Sequence, residues 1–245
     1  MARATFQRLA TRAAVLRAPL LALSSLALSG FVNVCSSSTP TAPASTGIDP
    51  AVVDGYRLFA NGDCAEVGRK ARAPDVSPSD RARGAYLRLL GAYCVELGGD
   101  LRAARELYSS IASDSAPETP GFEAALRLRE LARLESTGMT RVRLKELILE
   151  ERRKSPHEVR PLHRAEPTYP KTVIEAGIEG FVMVGYGIEG DGTVTDVVVL
   201  ESDPPFVFDG AALEAVRSWT YERSAAEAPI RNVVKLQFQI DAPNG

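Results

Sequence analysis

Gly180-Phe181-Val182-Met183-Val184-Gly185-Tyr186-Gly187-Ile188-Glu189-Gly190-Asp191-Gly192-Thr193 is the stretch on which the fold turns. Val182, Val184, Tyr186 and Ile188 recur at every second position, the period of a strand with one buried face. Glu189 to Gly192 then supplies turn residues, including glycines that reach positive φ without a Cβ clash, as a tight hairpin demands. A second strand is predicted from Thr193 to Ser202. Within it Val197 and Val199 share a face but Val194 does not, and the odd spacing across Thr195-Asp196 predicts a bulge.

Working outward toward the C-terminus, Pro204-Pro205 stops the sheet. Phe208, Asp209 and Leu213 read as a hydrophobic staple around an N-cap, with Asp209 accepting from free backbone N–H groups. Ala212, Ala215, Val216 and Trp219 continue an apolar helical face. In the last strand Val234, Leu236, Phe238 and Ile240 face in, while Lys235, Gln237 and Gln239 face out. On the N-terminal side, Glu166-Pro167-Thr168-Tyr169-Pro170 is extended, because each proline excludes helix behind it. A short helix from Lys171 to Ala176 follows and ends at Gly177. The order helix, strand, strand, helix, strand describes a small α+β unit of about 75 residues, with helices on one face of an antiparallel sheet.

Before this unit the pattern is helical. From Asp49 to Ser136 apolar residues recur at helical spacing: Val52, Tyr56 and Phe59, then Cys64 and Val67, then Tyr86, Leu90, Tyr93 and Leu97, then Leu101, Ala104, Leu107, Tyr108 and Ile111. Asn61-Gly62-Asp63 and Gly98-Gly99-Asp100 break the pattern about 37 residues apart, a spacing that suggests repetition. The stretch from Leu90 to Pro117 resembles a tetratricopeptide helix pair, with Gly91 and Ala103 where two helices must approach closely and Leu107 or Tyr108 filling the groove. A further helix, Phe122 to Leu134, carries Ala125, Leu128, Leu131 and Leu134 on one face and caps the stack. Met139 to Lys154 reads as a strongly charged helix with Leu144, Leu147 and Ile148 on one side, closed by Ser155-Pro156. The expected architecture is thus a mainly α helical-repeat domain (49–137), a charged connector (138–160) and the α+β domain (161–245).

The N-terminus is of another kind. Arg3, Arg8, Arg12 and Arg17 precede an uncharged apolar run, Ala18 to Val34, which is the pattern of an export signal. Three readings stay open for residues 1–35: cleavage near Ala27-Leu28-Ser29, lipidation at Cys35, or retention as a short membrane anchor. Residues 36–48 are a Ser/Thr/Pro/Ala linker that reaches roughly 40 Å when stretched. In an exported chain Cys64 and Cys94 are either disulfide partners or two separately buried thiols.

A net charge of -2 offers no basic stripe for nucleic acid. The two histidines, His157 and His163, form neither a metal-ligand set nor a nucleophile–base pair, and no phosphate loop is present. The expectation is a protein that is not an enzyme, with no cofactor and no metal.

The C-terminal block resembles the C-terminal domain of the TonB family. The resemblance rests on Tyr169-Pro170, on Gly180 with the alternating Val182, Val184, Tyr186 and Ile188, on Asp191-Gly192 with Val194, on Phe208-Asp209, on Ala215-Val216 with Trp219 and Tyr221, and on the closing strand. It implies a periplasmic location in a Gram-negative bacterium. It also implies a partner, an outer-membrane TonB-dependent transporter, whose extended segment adds as a strand to the sheet, with work passed on from inner-membrane motor proteins. The positions that match the family's contact region are Glu166, Pro167, Thr168, Tyr169 and Pro170. An exposed last strand would present Lys235, Gln237 and Gln239 at its edge. Against the family's pattern, Ala18 to Val34 contains no histidine and the linker is short. The resemblance therefore implies an energy transducer or adaptor, with a periplasmic protein–protein scaffold lacking energy transfer as the alternative. Phe181 and Met183, apolar on the outward face of the first strand, would touch the helical region, a partner, or a second copy of the chain in a homodimer.

Overall fold

The computed structural model describes residues 2–7, 47–74, 77–114, 116, 119–154, 159–225 and 228–240. Ala18–Val34, Cys35 and most of the 36–48 linker lie outside the described residues, as does Ser155-Pro156. In chain order the elements are β1 (Ala2–Gln7), α1 (Pro50–Ala60), α2 (Cys64–Ala71), α3 (Pro78–Leu97), α4 (Leu101–Ile111), α5 (Pro120–Thr137) and α6 (Arg141–Lys154). They continue as β2 (Pro161–His163), α7 (Lys171–Glu175), β3 (Gly180–Ile188), β4 (Val194–Asp203), α8 (Asp209–Arg217), β5 (Thr220–Tyr221) and β6 (Ile230–Ile240).

The helices begin by a shared device. Asp49, Ser77 and Thr119 each accept a bond from a first-turn N–H just ahead of Pro50, Pro78 and Pro120, whose missing donor costs nothing there. Asp63 and Asp100 cap α2 and α4 in the same way. The preceding glycines, Gly62 at φ +78 and Gly99 at φ +88, take the left-handed turn that lets each chain reverse. Helix α3 is the central member, packed on α1, α2, α4 and α5. Gly91 opposes Ala71 so closely that an added Cβ would lie 3.3 Å from the Ala71 Cβ. Of the two groove candidates, Tyr108 is buried and Leu107 is exposed.

On α5 the buried face differs from the expected one. Ala124, Leu126, Arg127, Glu130 and Leu131 are buried, so two charged residues occupy positions that apolar periodicity assigned to the surface.

The main sheet runs β1-β6-β3-β4, antiparallel throughout. Gly185 pairs with Val198 and Gly187 with Thr195, which leaves Asp196 and Val197 facing Tyr186 alone. This is a bulge at the predicted place, with Asp196 at φ 52. A second irregularity adds Leu200 between the Met183–Glu201 and Val184–Val199 pairs. Two short strands not anticipated, β2 and β5, form a separate ribbon.

Both faces of the sheet are covered. On one, Val182, Val184, Tyr186, Leu236 and Phe238 pack with α7 and α8, in a core continuous with that of the helical region. On the other, α6 lays Ile148 onto Val198, Leu200 and Val233, with Met183 alongside. This is why Val197 to Leu200 are buried in succession instead of alternating. Met183 thus packs beneath the connector helix, and the Lys235 ammonium sits 3.8 Å from the Phe181 ring centroid. Lys145–Glu201 and Arg231–Glu151 ion pairs border the same layer.

Asp209 does not act as the predicted N-cap. Phe208 takes the cap position with no side-chain bond, and Asp209 opens the helix with its carboxylate turned inward, 3% exposed. Its nearest cation is Arg127, at 3.7 Å.

Candidate functional site

The extended segment before α7 is anchored from both ends. The Trp219 Nε1–H donates to the Ala165 carbonyl at 2.9 Å, and the Arg164 guanidinium lies 5.0 Å above the Trp219 ring. Tyr169 is 7% exposed and packs edge-on against the stacked rings of Phe208 and Phe238, at 5.5 and 5.6 Å. Its hydroxyl donates to the Ile178 carbonyl at 2.5 Å, and burial pushes the phenol up to about 12, so it remains a donor at neutral pH. Pro167 is buried and Pro170 half-buried, at the position before α7, while Glu166 and Thr168 are exposed. Tyr169 is therefore part of the core, and the segment's outward contribution comes from Glu166 and Thr168.

The last strand is brought next to this segment through the Tyr169–Phe238 contact, with Gln237 and Gln239 flanking Phe238. Its inner edge pairs with β3, from Gly180–Phe238 to Ile188–Ile230. Its outer edge, expected to be exposed, is covered. Residues 2–7 lie along it antiparallel, with Arg3 opposite Gln239, Thr5 opposite Gln237 and Gln7 opposite Lys235. The chain's own N-terminal residues thus stand where an added strand would stand.

Behind the sheet, Arg127 is the charged centre of the helix–sheet contact. It is 2% exposed, donates from Nε to Glu96 at 3.2 Å, and stacks 4.3 Å from the Phe206 ring. Tyr108 donates to the same Glu96 at 2.8 Å. Phe206, held at φ 70, also meets Tyr93 at 5.0 Å. Arg57 of α1 adds a second tie, donating to the Ala176 and Glu175 carbonyls at the end of α7. None of these roles was read from the sequence. Two turn prolines before Phe206 were the available signal, since Arg127 lies off the apolar spacing read for α5.

Cys64 and Cys94 are joined in a disulfide between α2 and α3, with their sulfurs 2.09 Å apart. Among the described residues, no group of three or more His, Cys, Asp or Glu is placed to hold a metal ion. No helix among them is long and apolar enough to cross a membrane.

A cleft of ≈ 340 Å³ opens between the helical region and the α7–α8 side of the sheet. Thr168 and Pro170 form part of its rim, and Tyr56, Tyr86, Phe122 and Glu123 line its helical wall.

Known proteins match the C-terminal third of the chain. Residues 165–241 fit the family model described as the Gram-negative bacterial TonB protein C-terminal. Protein TonB of Yersinia enterocolitica is 38% identical over 73 residues, which is 30% of this chain and 29% of the relative. Protein TonB of Pseudomonas aeruginosa is 35% identical over 83 residues, 33% of this chain and 24% of the relative. The solution NMR structure of the Pseudomonas aeruginosa TonB CTD is 31% identical at a TM-score of 0.31, covering 35% of this chain and 90% of that one. The match thus spans less than a third of the length of these two curated relatives, and the family model falls on β3, β4 and β6, on α7 and α8, and on the anchored segment. The carboxy-terminal third of this chain carries a TonB C-terminal domain.

Proposed function

We propose that the chain is a TonB-like periplasmic transducer or adaptor, and that β6 binds an extended segment of an outer-membrane transporter as an added strand. The observation that carries this reading is the pairing of residues 2–7 with β6. Six consecutive positions, from Ala2–Ile240 to Gln7–Lys235, keep antiparallel register without a bulge. An edge that accepts one extended backbone in this way offers main-chain donors and acceptors to another. The side chains that would give such a partner its register are Lys235, Gln237 and Gln239, with Glu166 and Thr168 at the neighbouring surface.

Residues 2–7 belong to the stretch read as an export signal. Cleavage near Ala27–Ser29 removes them and bares the edge, so the exported form is the binding form. Coupling to an inner-membrane motor belongs to the same proposal for the form lipidated at Cys35, which loses residues 2–7 yet stays attached, with the short linker limiting how far the domain travels.

The test is titration of a labelled peptide, copied from a transporter's extended N-terminal segment, into two forms of the protein. One form starts at Ser36 and the other retains residues 1–35. Binding to the shorter form, with competition in the longer, is the expected result. Gln237→Pro in the shorter form, confirmed folded by circular dichroism, weakens binding if that N–H faces the partner. Equal and undetectable binding by both forms would overturn the assignment.

A further inference from the structure

The cleft beside α7 has a chemistry that the strand-binding reading does not use. Tyr56, Tyr86, Phe122 and Glu123 all line its helical wall, and Glu214 of α8 lines its other side. Glu123 rests against the first turn of α8. There the absence of a side chain at Gly210 is what admits it, since an added Cβ would come within 2.2 Å of its carboxylate oxygen. No ion pair or hydrogen bond to this carboxylate forms among the described residues. The charges nearest it are Asp209 and Glu214, which repel it, and Arg127, which is already engaged by Glu96. Lys171 lines the cleft but is exposed at its mouth. A half-buried carboxylate in a cleft lined also by aromatic residues, with acidic neighbours and its nearest cation already bound elsewhere, is a setting completed by an incoming cation. The volume is that of a small-ligand or single-side-chain pocket.

We propose that this cleft binds an alkylammonium group, carried either by a free amine or by a lysine side chain of a partner protein. The ammonium sits against Glu123 and Glu214, and the alkyl stem lies along Tyr56 and Phe122. This site is independent of the β6 edge and does not rest on the transporter-binding reading.

The pH dependence follows from the surroundings. Burial, then Asp209 and Glu214, push the Glu123 carboxyl up to about 8, with Arg127 opposing them. The groups that face it from the packed elements are Tyr56 of α1, Tyr86 and Tyr93 of α3, Arg127 of α5, Lys171 of α7, and Asp209 and Glu214 of α8. An ammonium, ionised below about pH 10, binds the deprotonated carboxylate and expels its proton. Affinity therefore rises by up to about tenfold per pH unit below the carboxyl's midpoint and levels off above it.

The experiment is calorimetric titration of the folded chain with cadaverine, with a short lysine-containing peptide, and with the same peptide acetylated at the lysine Nε. The expected result is binding of an ammonium probe with proton release, none of the acetylated peptide, and the rise in affinity from about pH 6 to about pH 8. Glu123→Gln lowers affinity at least about tenfold and abolishes the pH dependence. If cadaverine binds as tightly as the peptide, the source is a free amine. If the peptide binds at least about tenfold tighter, it is a protein lysine. Failure of both ammonium probes, or equal binding of the acetylated peptide, overturns the proposal. The wild-type pH profile decides the matter even if the variant does not fold. Because transporter-peptide binding at β6 is measured separately, either reading can fail while the other stands.

Discussion

The Arg127 guanidinium lies 3.7 Å from the Asp209 carboxylate, and this pair joins the helical region to the first turn of α8 on the sheet. Both residues are almost fully buried, and Arg127 simultaneously pairs with Glu96 and stacks on Phe206. Replacing one member of such a cluster is worse than replacing all, because the remaining charges stay buried without an opposite. Arg127→Met should therefore cost about 3–5 kcal/mol. Adding Glu96→Gln and Asp209→Asn should recover a substantial part of the loss. Urea unfolding followed by Trp219 fluorescence reads this out. A single variant as stable as the parent would show that the cluster contributes nothing net.

The Cys64–Cys94 bridge closes a loop of sequence separation 30 between α2 and α3. Restricting the unfolded chain over a loop of that length contributes about 3–4 kcal/mol. Reduction, or the Cys64→Ala/Cys94→Ala pair, should lower the stability of the helical region by that order. Before reduction, a thiol reagent should label neither position in the denatured protein. Quantitative labelling of both would mean that the bridge is not formed in the isolated protein.

Tyr169 distinguishes a structural from a contact role for the Glu166–Pro170 segment. Its hydroxyl satisfies the buried Ile178 carbonyl, and its ring packs edge-on against the Phe208–Phe238 stack. Tyr169→Phe keeps the ring and removes the donor, which should cost about 1–2 kcal/mol of stability. With the hydroxyl turned inward, affinity of the folded variant for a transporter peptide should change little. Glu166→Ala and Thr168→Ala should do the reverse, leaving stability within about 0.5 kcal/mol and reducing affinity. A peptide affinity lost in Tyr169→Phe at conditions where it is fully folded would place the hydroxyl at the interface.

How far the sequence could be read follows from which residues obey simple periodicity. The alternation in β3 and β6 and the bulge at Thr195-Asp196 were legible because one face of each strand is uniformly apolar. The starts of α2 and α4 were legible from the Gly-Asp breaks ahead of them, whereas Asp49-Pro50 and Ser77-Pro78 were not read as the starts of α1 and α3. Asp209 misled because an aspartate after Phe208 at a helix start has the form of a cap. Its real partner, Arg127, lies 82 positions earlier in sequence, so no local pattern links them. Arg127 was missed on α5 for the same reason, since its buried partners Glu96 and Asp209 are distant in sequence and the arginine by itself looks solvated. Strand β2 and its partner β5 are three and two residues long, too short for any period to register. Candidate binding positions on β6 could be named from the alternation, but what pairs with the edge depends on residues 2–7, about 230 positions away, and only the folded chain brings them together.

Glu123 makes stability depend on pH in a direction opposite to that of most surface carboxylates. Its folded-state value, about 8, lies above the 4.5 of an exposed glutamate, chiefly through burial. Between those two values the folded protein holds a proton that the unfolded chain has released. Its contribution is fully present below about pH 4.5 and is lost as pH rises through about 8. Asp209, raised by burial as well, acts with the same sign. Between about pH 5 and about pH 8.5 the parent should lose on the order of 2 kcal/mol that Glu123→Gln does not lose. Urea midpoints measured at both pH values, with circular dichroism of the helices as the signal, give the comparison. Parallel pH profiles for parent and variant would mean that Glu123 titrates as an ordinary solvated carboxylate, and the cleft beside it would then be open to water.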